Sequence, residues 1–256
     1  MNLPLFPVRP NLPKRIRRQA AGAVHRAEAE LMTEGLNLSQ GDRELLLRQQ
    51  ALDKAQQGEL DHAIDLFTHL IACNPASASN FNNRGLLYFQ QGEYELALAD
   101  YHQALWLNPH LAKVYNNRAN CYAAMGELEA AIDDYDTAID LDPTDVRARL
   151  NQGITFRQLE LWELAIDCFE LAIQFSQLIN ATDPMRISNA LEGHLYAERG
   201  RAYHLLGDWN CAIADYHRAL GYLPLNGLRP DQSSRLRAQV RGWMNDLLGP
   251  LQPVEE

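Results

Sequence analysis

Residues 78–111 read ASNFNNRGLLYFQQGEYELALADYHQALWLNPHL, and residues 112–145 read AKVYNNRANCYAAMGELEAAIDDYDTAIDLDPTD. Laid one above the other, they agree where chain geometry is most demanding. Gly92 matches Gly126, Ala97 matches Ala131, Tyr101 matches Tyr135 and Pro109 matches Pro143. The same step of 34 residues reaches back to Gly58, Ala63, Phe67 and Pro75, and forward to Ala165 and Phe169. After residue 179 the register breaks, then resumes with Gly207, Ala212, Tyr216, Ala219 and Pro224. The implied repeats are 44–77, 78–111, 112–145, 146–179 and 193–226, with residues 180–192 inserted.

Each repeat has two helical stretches, divided at a Gly-Glu or Gly-Asp step in all but the fourth. Glycine there suits the left-handed position that ends a helix. Small residues at Gly85, Ala119, Gly153 and Gly200 lie on the first helix. Glycine in that place costs about 1 kcal/mol of helix propensity, so a packing reason is required. Close approach of the second helix supplies it, with Ala97, Ala131, Ala165 and Ala212 as the facing small surface. Tyr88, Tyr122, Phe156 and Tyr203 fill the space beside them, with Tyr101, Tyr135, Phe169 and Tyr216 from the second helix. Proline stops the second helix and turns the chain into the next repeat.

A period of this length with this pattern resembles the tetratricopeptide repeat (TPR). The resemblance covers residues 44–226 and is sharpest in the second, third and fifth repeats. The fourth departs at Glu160 and Gln177, where glycine and proline are expected, and the first at Gln50 and Lys54. The implied fold is all-α: a TPR α-solenoid, a right-handed superhelix of helix pairs with N- and C-terminal capping helices. The implied function is a non-enzymatic scaffold or assembly factor that binds a peptide segment or helix in a concave groove. TPR proteins of this simple kind in bacteria and plastids often serve the biogenesis of large complexes. A regulatory, peptide-sensing module is the alternative.

In such proteins the first helix of each repeat lines the groove. The resemblance therefore places Arg48, Asn82, Asn83, Lys113, Asn116, Asn117, Asn120, Arg147, Asn151, Arg157 and Arg201 on it, with His194, Glu198 and His204. Asparagine can pair with both polar groups of a peptide backbone, and the cations can hold carboxylates. The expected partner is thus an acidic or carboxylate-bearing peptide. One TPR subfamily grips the acidic tail of heat-shock chaperones with a five-residue clamp. The matching positions here read Arg48, Leu52, Asn83, Lys113 and Asn117, of which only Asn83 and Lys113 fit. This speaks against a standard chaperone-tail co-chaperone. An apolar helix held by Leu52, Leu86, Phe89 and Ile154 is the rival occupant.

Net charge is −10, unevenly spread: residues 1–26 hold six cations and no acid, leaving −16 on the other 230. An acidic body repels phosphate, so nucleic acid is not an expected partner. Residues 1–43 read as a basic extended arm and a capping helix. Pro4, Pro7, Pro10 and Pro13 preclude a helix at the start, and Ile16, Ala20, Ala23, Val24, Ala27 and Leu31 then form a helical stripe. The Arg-rich beginning also shares features with a transit peptide. Asp183-Pro184 reads as a helix start, so the fifth repeat's first helix is expected over about 184–206. Residues 227–256 read as a C-terminal capping helix and tail, with Leu236, Val240, Trp243, Leu247 and Leu248 inward and Arg235, Arg237 and Arg241 opposite. Peripheral membrane contact through the basic termini is the other reading of these flanks.

There is no Gly-rich phosphate loop, HExxH or nucleophile elbow, so no catalytic site is expected. The run Asp133, Asp134, Asp136, Asp140, Asp142 and Asp145 lacks the central glycine and closing glutamate of a calcium loop, and reads as a solvated helix face. His62 and His69, seven apart on one helix, read as structural. Cys73, Cys121, Cys168 and Cys211 form no CxxC pair and read as buried small hydrophobes, so neither metal nor cofactor is expected. No apolar run has the length of a membrane span. The expected location is the cytoplasm, with plastid or peripheral membrane as alternatives.

Overall fold

A computed structural model of the chain describes residues 39–183, 187–223 and 232–249. The expected extended arm over residues 1–13, the helical stripe over residues 16–31 and Pro184 lie outside them. The described residues form eleven α-helices and no strand. Four lie in a first compact unit ending at His110: α1 (Gln40–Gln56), α2 (Leu60–Cys73), α3 (Ala78–Gln91) and α4 (Tyr94–Leu107). Seven lie in a second, which begins at Leu111: α5 (Ala112–Met125), α6 (Leu128–Leu141), α7 (Val146–Gln158), α8 (Trp162–Thr182), α9 (Asn189–Leu206), α10 (Trp209–Tyr222) and α11 (Gln232–Leu248). Consecutive helices pair as hairpins, α1 with α2 through α9 with α10. Within each unit one hairpin packs on the next.

The close approach inside a hairpin has the expected cause. A methyl group built on Gly85 would lie 2.8 Å from the Tyr101 ring, and one on Gly200 2.8 Å from the Tyr216 ring. Ala97, Ala131, Ala165 and Ala212 are wholly buried, as are Tyr101, Phe169 and Tyr216. These rings fill space at near-crystalline density, which fixes the hairpin angle. The first helix then ends on a left-handed residue. At Gly126 φ is +84°, and the following Glu127 N–H returns to the Tyr122 carbonyl at 2.9 Å. This satisfies carbonyls the helix would otherwise orphan.

Helix ends depart from expectation in three places. The first helix opens at Gln40, inside the 1–43 segment read as arm and capping helix. Ser39 and Asp42 form a capping box there, each side chain serving the other's backbone N–H. With Gln177 in place of proline, α8 runs on to Thr182, 21 residues against 14 in α6. Asp183 closes that helix instead of opening the next, and α9 begins at Asn189 under a Ser188 cap. The expected start near 184 is therefore wrong: a helix with no proline to stop it continues while its apolar face still has a partner.

Two readings of side-chain environment also need correction. Asp134 belongs to the buried interior and not to a solvated face. Cys73 and Cys211 are exposed; only Cys121 is fully buried, with Cys168 half-buried. A position within a repeat decides burial, and each cysteine occupies a different one.

Candidate functional site

Three ion pairs, two of them buried and the Arg118 pair partly so, hold the hairpins and frame the exposed side chains. Arg84 donates to both oxygens of Asp100 at 2.7 Å, and Arg118 does the same to Asp134. Arg199 grips Asp215 at 2.6 and 2.9 Å and also contacts Glu170. Each guanidinium lies against two rings of its own helix: Phe81 and Tyr88, Tyr115 and Tyr122, Tyr196 and Tyr203. Planar stacking plus a two-point bond suits arginine and would not suit lysine. The tyrosines expected simply to fill space thus also sandwich a cation. Sequence reading missed these arginines because charged residues are ordinarily exposed. The signal was present: Arg84, Arg118 and Arg199 each precede an aspartate by 16 residues.

In the first unit, Arg48 pairs with Glu44 at 2.8 Å and donates to Asn80 at 3.1 Å. Its charge is answered within the chain. Asn82 donates to the neighbouring Asn83 side chain at 3.3 Å. Both sit half-buried on α3.

The second unit brings together most of the remaining candidates. Asn151 on α7 donates to Asn116 at 3.3 Å and to Asn120 at 3.0 Å, both on α5. Asn120 also accepts from the Tyr135 hydroxyl at 2.6 Å. These amides brace one helix against the next. Asn117 is half-buried on the same helix. Arg157 on α7 donates to Glu198 on α9 at 3.1 Å, and His194 stands 3.6 Å from the same carboxylate. Burial opposes ionisation of Glu198, but His194 and Arg157 together hold its carboxyl below the ordinary range. Arg201 lies over the Trp243 ring at 5.2 Å, so α11 occupies that part of the face. Arg201 and the Tyr216 hydroxyl converge on His204 Nδ1 at 3.3 and 3.2 Å. Burial and then the Arg201 charge push His204 down from the ordinary imidazole range.

Lys113 and Arg147 differ from all of these. They stand one repeat apart at the first turn of α5 and α7, and both are exposed. Neither side chain makes a hydrogen bond or ion pair among the described residues.

The helix α11 packs on α9 and α10. Val240 is wholly buried there, and Trp243 meets Tyr216 with ring centres 6.0 Å apart. Arg237, expected on the solvent face, is buried and donates to the Leu220 and Leu223 carbonyls at the end of α10. A cation satisfying the last carbonyls of a helix explains its inward position. Between α7, α9 and α11 lies a pocket of about 500 Å³ bordered by Arg147, Leu191, His194, Glu198, Arg235 and Leu236. No group of His, Cys, Asp and Glu among the described residues could hold a metal ion, and no described helix is long and apolar enough to cross a membrane.

The family model of the tetratricopeptide repeat matches residues 78–111 and 112–145. No curated protein matches the chain. Among solved structures the chain is similar to MamA. One MamA crystal structure shares a TM-score of 0.57 at 20% identity, over 74% of this chain and 100% of that one. A second gives 0.55 at 20% identity over 73% and 96%. MamA from Desulfovibrio magneticus RS-1, taken from residue 41 to its end, gives 0.59 at 16% identity over 72% and 97%. At such identities the likeness shows the fold alone.

Proposed function

From the premise that this chain is a tetratricopeptide-repeat protein, we propose that it is a protein–protein interaction scaffold whose second unit binds an acidic or carboxylate-bearing peptide segment. The partner lies along α5 and α7, and the role is that of an assembly factor. One observation carries this: Lys113 and Arg147 repeat at the same position of successive hairpins, exposed and without a counter-charge among the described residues. Arg48 and Arg157, by contrast, already answer acids of the chain itself. Two free cations in register offer an extended acidic segment evenly spaced contacts, while the braced amides of Asn116, Asn120 and Asn151 keep the surface rigid. The chaperone-tail clamp gains no support, since Arg48 is engaged and Leu52 stands where an amide is needed.

Binding of labelled acidic peptides and of their Gln/Asn counterparts, followed by fluorescence anisotropy, tests this reading. The acidic set should bind, weaken as salt rises, and lose affinity when Lys113→Glu and Arg147→Glu are combined. The melt of that variant should stay near wild type, because exposed charges contribute little to stability. Salt-independent binding that survives the double reversal would show that the face takes an apolar helix instead.

A further inference from the structure

The pocket between α7, α9 and α11 shares Arg147 with the run of cations along α5 and α7 but extends away from Lys113, and it has a chemistry of its own. Two arginines face it from different helices: Arg147 from the first turn of α7 and Arg235 from α11. Neither makes an ion pair or hydrogen bond through its side chain among the described residues, and both are exposed. The pocket's carboxylate, Glu198, is already answered by Arg157 at 3.1 Å and approached by His194 at 3.6 Å. The described lining therefore carries two unanswered positive charges. The remaining wall is mixed: the half-buried Leu191 and Leu236 give it an apolar strip, and Ser188, Ser233 and Gln239 add neutral polar groups beside it. A volume of about 500 Å³ is of the size that encloses a small molecule.

We propose that this pocket is a binding site for a small organic dianion with an apolar body, a phosphate monoester or a dicarboxylate. The oxyanion end takes the two guanidinium groups, whose planar forks fit paired oxygens. The body lies between Leu191 and Leu236, where its burial removes apolar surface from water. Because Arg147 and Arg235 belong to different helices, the ligand ties α11 to the repeat beneath it. It binds the folded state alone and so raises the melting temperature. In this way α11, read from sequence as a cap, becomes half of a ligand site.

Calorimetric titration with phenyl phosphate, phthalate, inorganic phosphate and benzoate at constant ionic strength tests the proposal on the full chain. Phenyl phosphate or phthalate should bind with one equivalent per chain, and the tighter of the two identifies the head group. Inorganic phosphate lacks the body and benzoate lacks the second charge, so each should bind about tenfold more weakly or worse. Arg235→Gln and Arg147→Gln should each lower affinity by about tenfold, the scale of one lost charge-assisted contact. Lys113→Glu should leave this binding unchanged, since Lys113 does not border the pocket, although it weakens acidic peptides. That contrast separates failure of the pocket from failure of the peptide face. Absence of saturable binding, undiminished binding by a folded Arg235→Gln variant, or inorganic phosphate matching phenyl phosphate would overturn the assignment.

Discussion

The hairpins α5–α6 and α7–α8 are neighbours with the same architecture and different chemistry. In the first, Arg118 and Asp134 close a two-point ion pair across the helices. In the second, the same two positions hold Gln152 and Cys168, whose thiol donates to the Gln152 side-chain oxygen Oε1 at 3.3 Å. Burial pushes the Cys168 thiol up to about 12, so it stays protonated and remains a donor. Gln152 in turn donates to Asp136 of the preceding hairpin at 2.6 Å. The small residue of the first helix is Ala119 in one hairpin and Gly153 in the other. The residue that ends it is Gly126 in one and Glu160 in the other. What the hairpin needs is a polar link between its helices, a small contact residue and a left-handed stop. It does not need particular residues to supply them.

The largest difference is expected from the polar link. Asp134→Ala leaves Arg118 charged between Tyr115 and Tyr122 with no counter-ion. Breaking a buried pair from one side costs about 3–5 kcal/mol. With 17% of the Arg118 side chain still exposed, the loss should fall near the lower end. Gln152→Ala removes a neutral partner and should cost about 1 kcal/mol. Urea titrations of both variants make the comparison, and equal losses would mean that the charge is irrelevant. Arg118→Gln combined with Asp134→Cys imports the neighbour's link. It should recover most of what Asp134→Ala loses, because no charge is then left stranded.

Next comes the contact residue. A methyl group on Gly153 would lie 2.5 Å from the Phe169 ring, which is wholly buried and has nowhere to go. Gly153→Ala should therefore cost about 2 kcal/mol by overpacking, against its better helix propensity. The reverse change at the equivalent place, Ala119→Gly, should cost only about 1 kcal/mol, from propensity and a small void. Thermal melts that rank the two the other way would show that Phe169 has room to shift where Tyr135 does not.

The same pair of hairpins shows how far the sequence could be read. Gly126, Ala131, Tyr135 and Pro143 announce a hairpin by residue type, so the fold and most helix bounds were legible. The second hairpin keeps Ala165 and Phe169 but loses glycine and proline, and there the helix bounds went astray: α8 outran its expected end and α9 began late. The site was less legible. Exposed cations such as Lys113 and Arg147 look no different in sequence from Arg48 and Arg157, whose charges are answered by Glu44 and Glu198. Only the fold reveals which acid reaches which base. The place of Arg235 depended on how α11 docks, which no local pattern encodes.

The smallest expected effect lies at the left-handed stop, and it has the opposite sign. Glu160 has φ of +61°, and it alone among the described non-glycine residues is in the left-handed region. Its neighbour Leu161 returns an N–H to the Phe156 carbonyl at 3.0 Å, the bond that Glu127 makes to Tyr122 in the preceding hairpin. The hairpin thus enforces the turn on a side chain that disfavours it, at a cost of about 1 kcal/mol. Glu160→Gly removes that strain but frees the unfolded chain, which loses part of the gain. A net stabilisation of about 0.5 kcal/mol is expected. Gly126→Glu should destabilise the α5–α6 hairpin by about 1 kcal/mol, since the same strain is introduced. Chemical denaturation of the two variants decides the matter. If Glu160→Gly were destabilising, the Glu160 side chain would have to contribute more to the fold than its left-handed backbone costs.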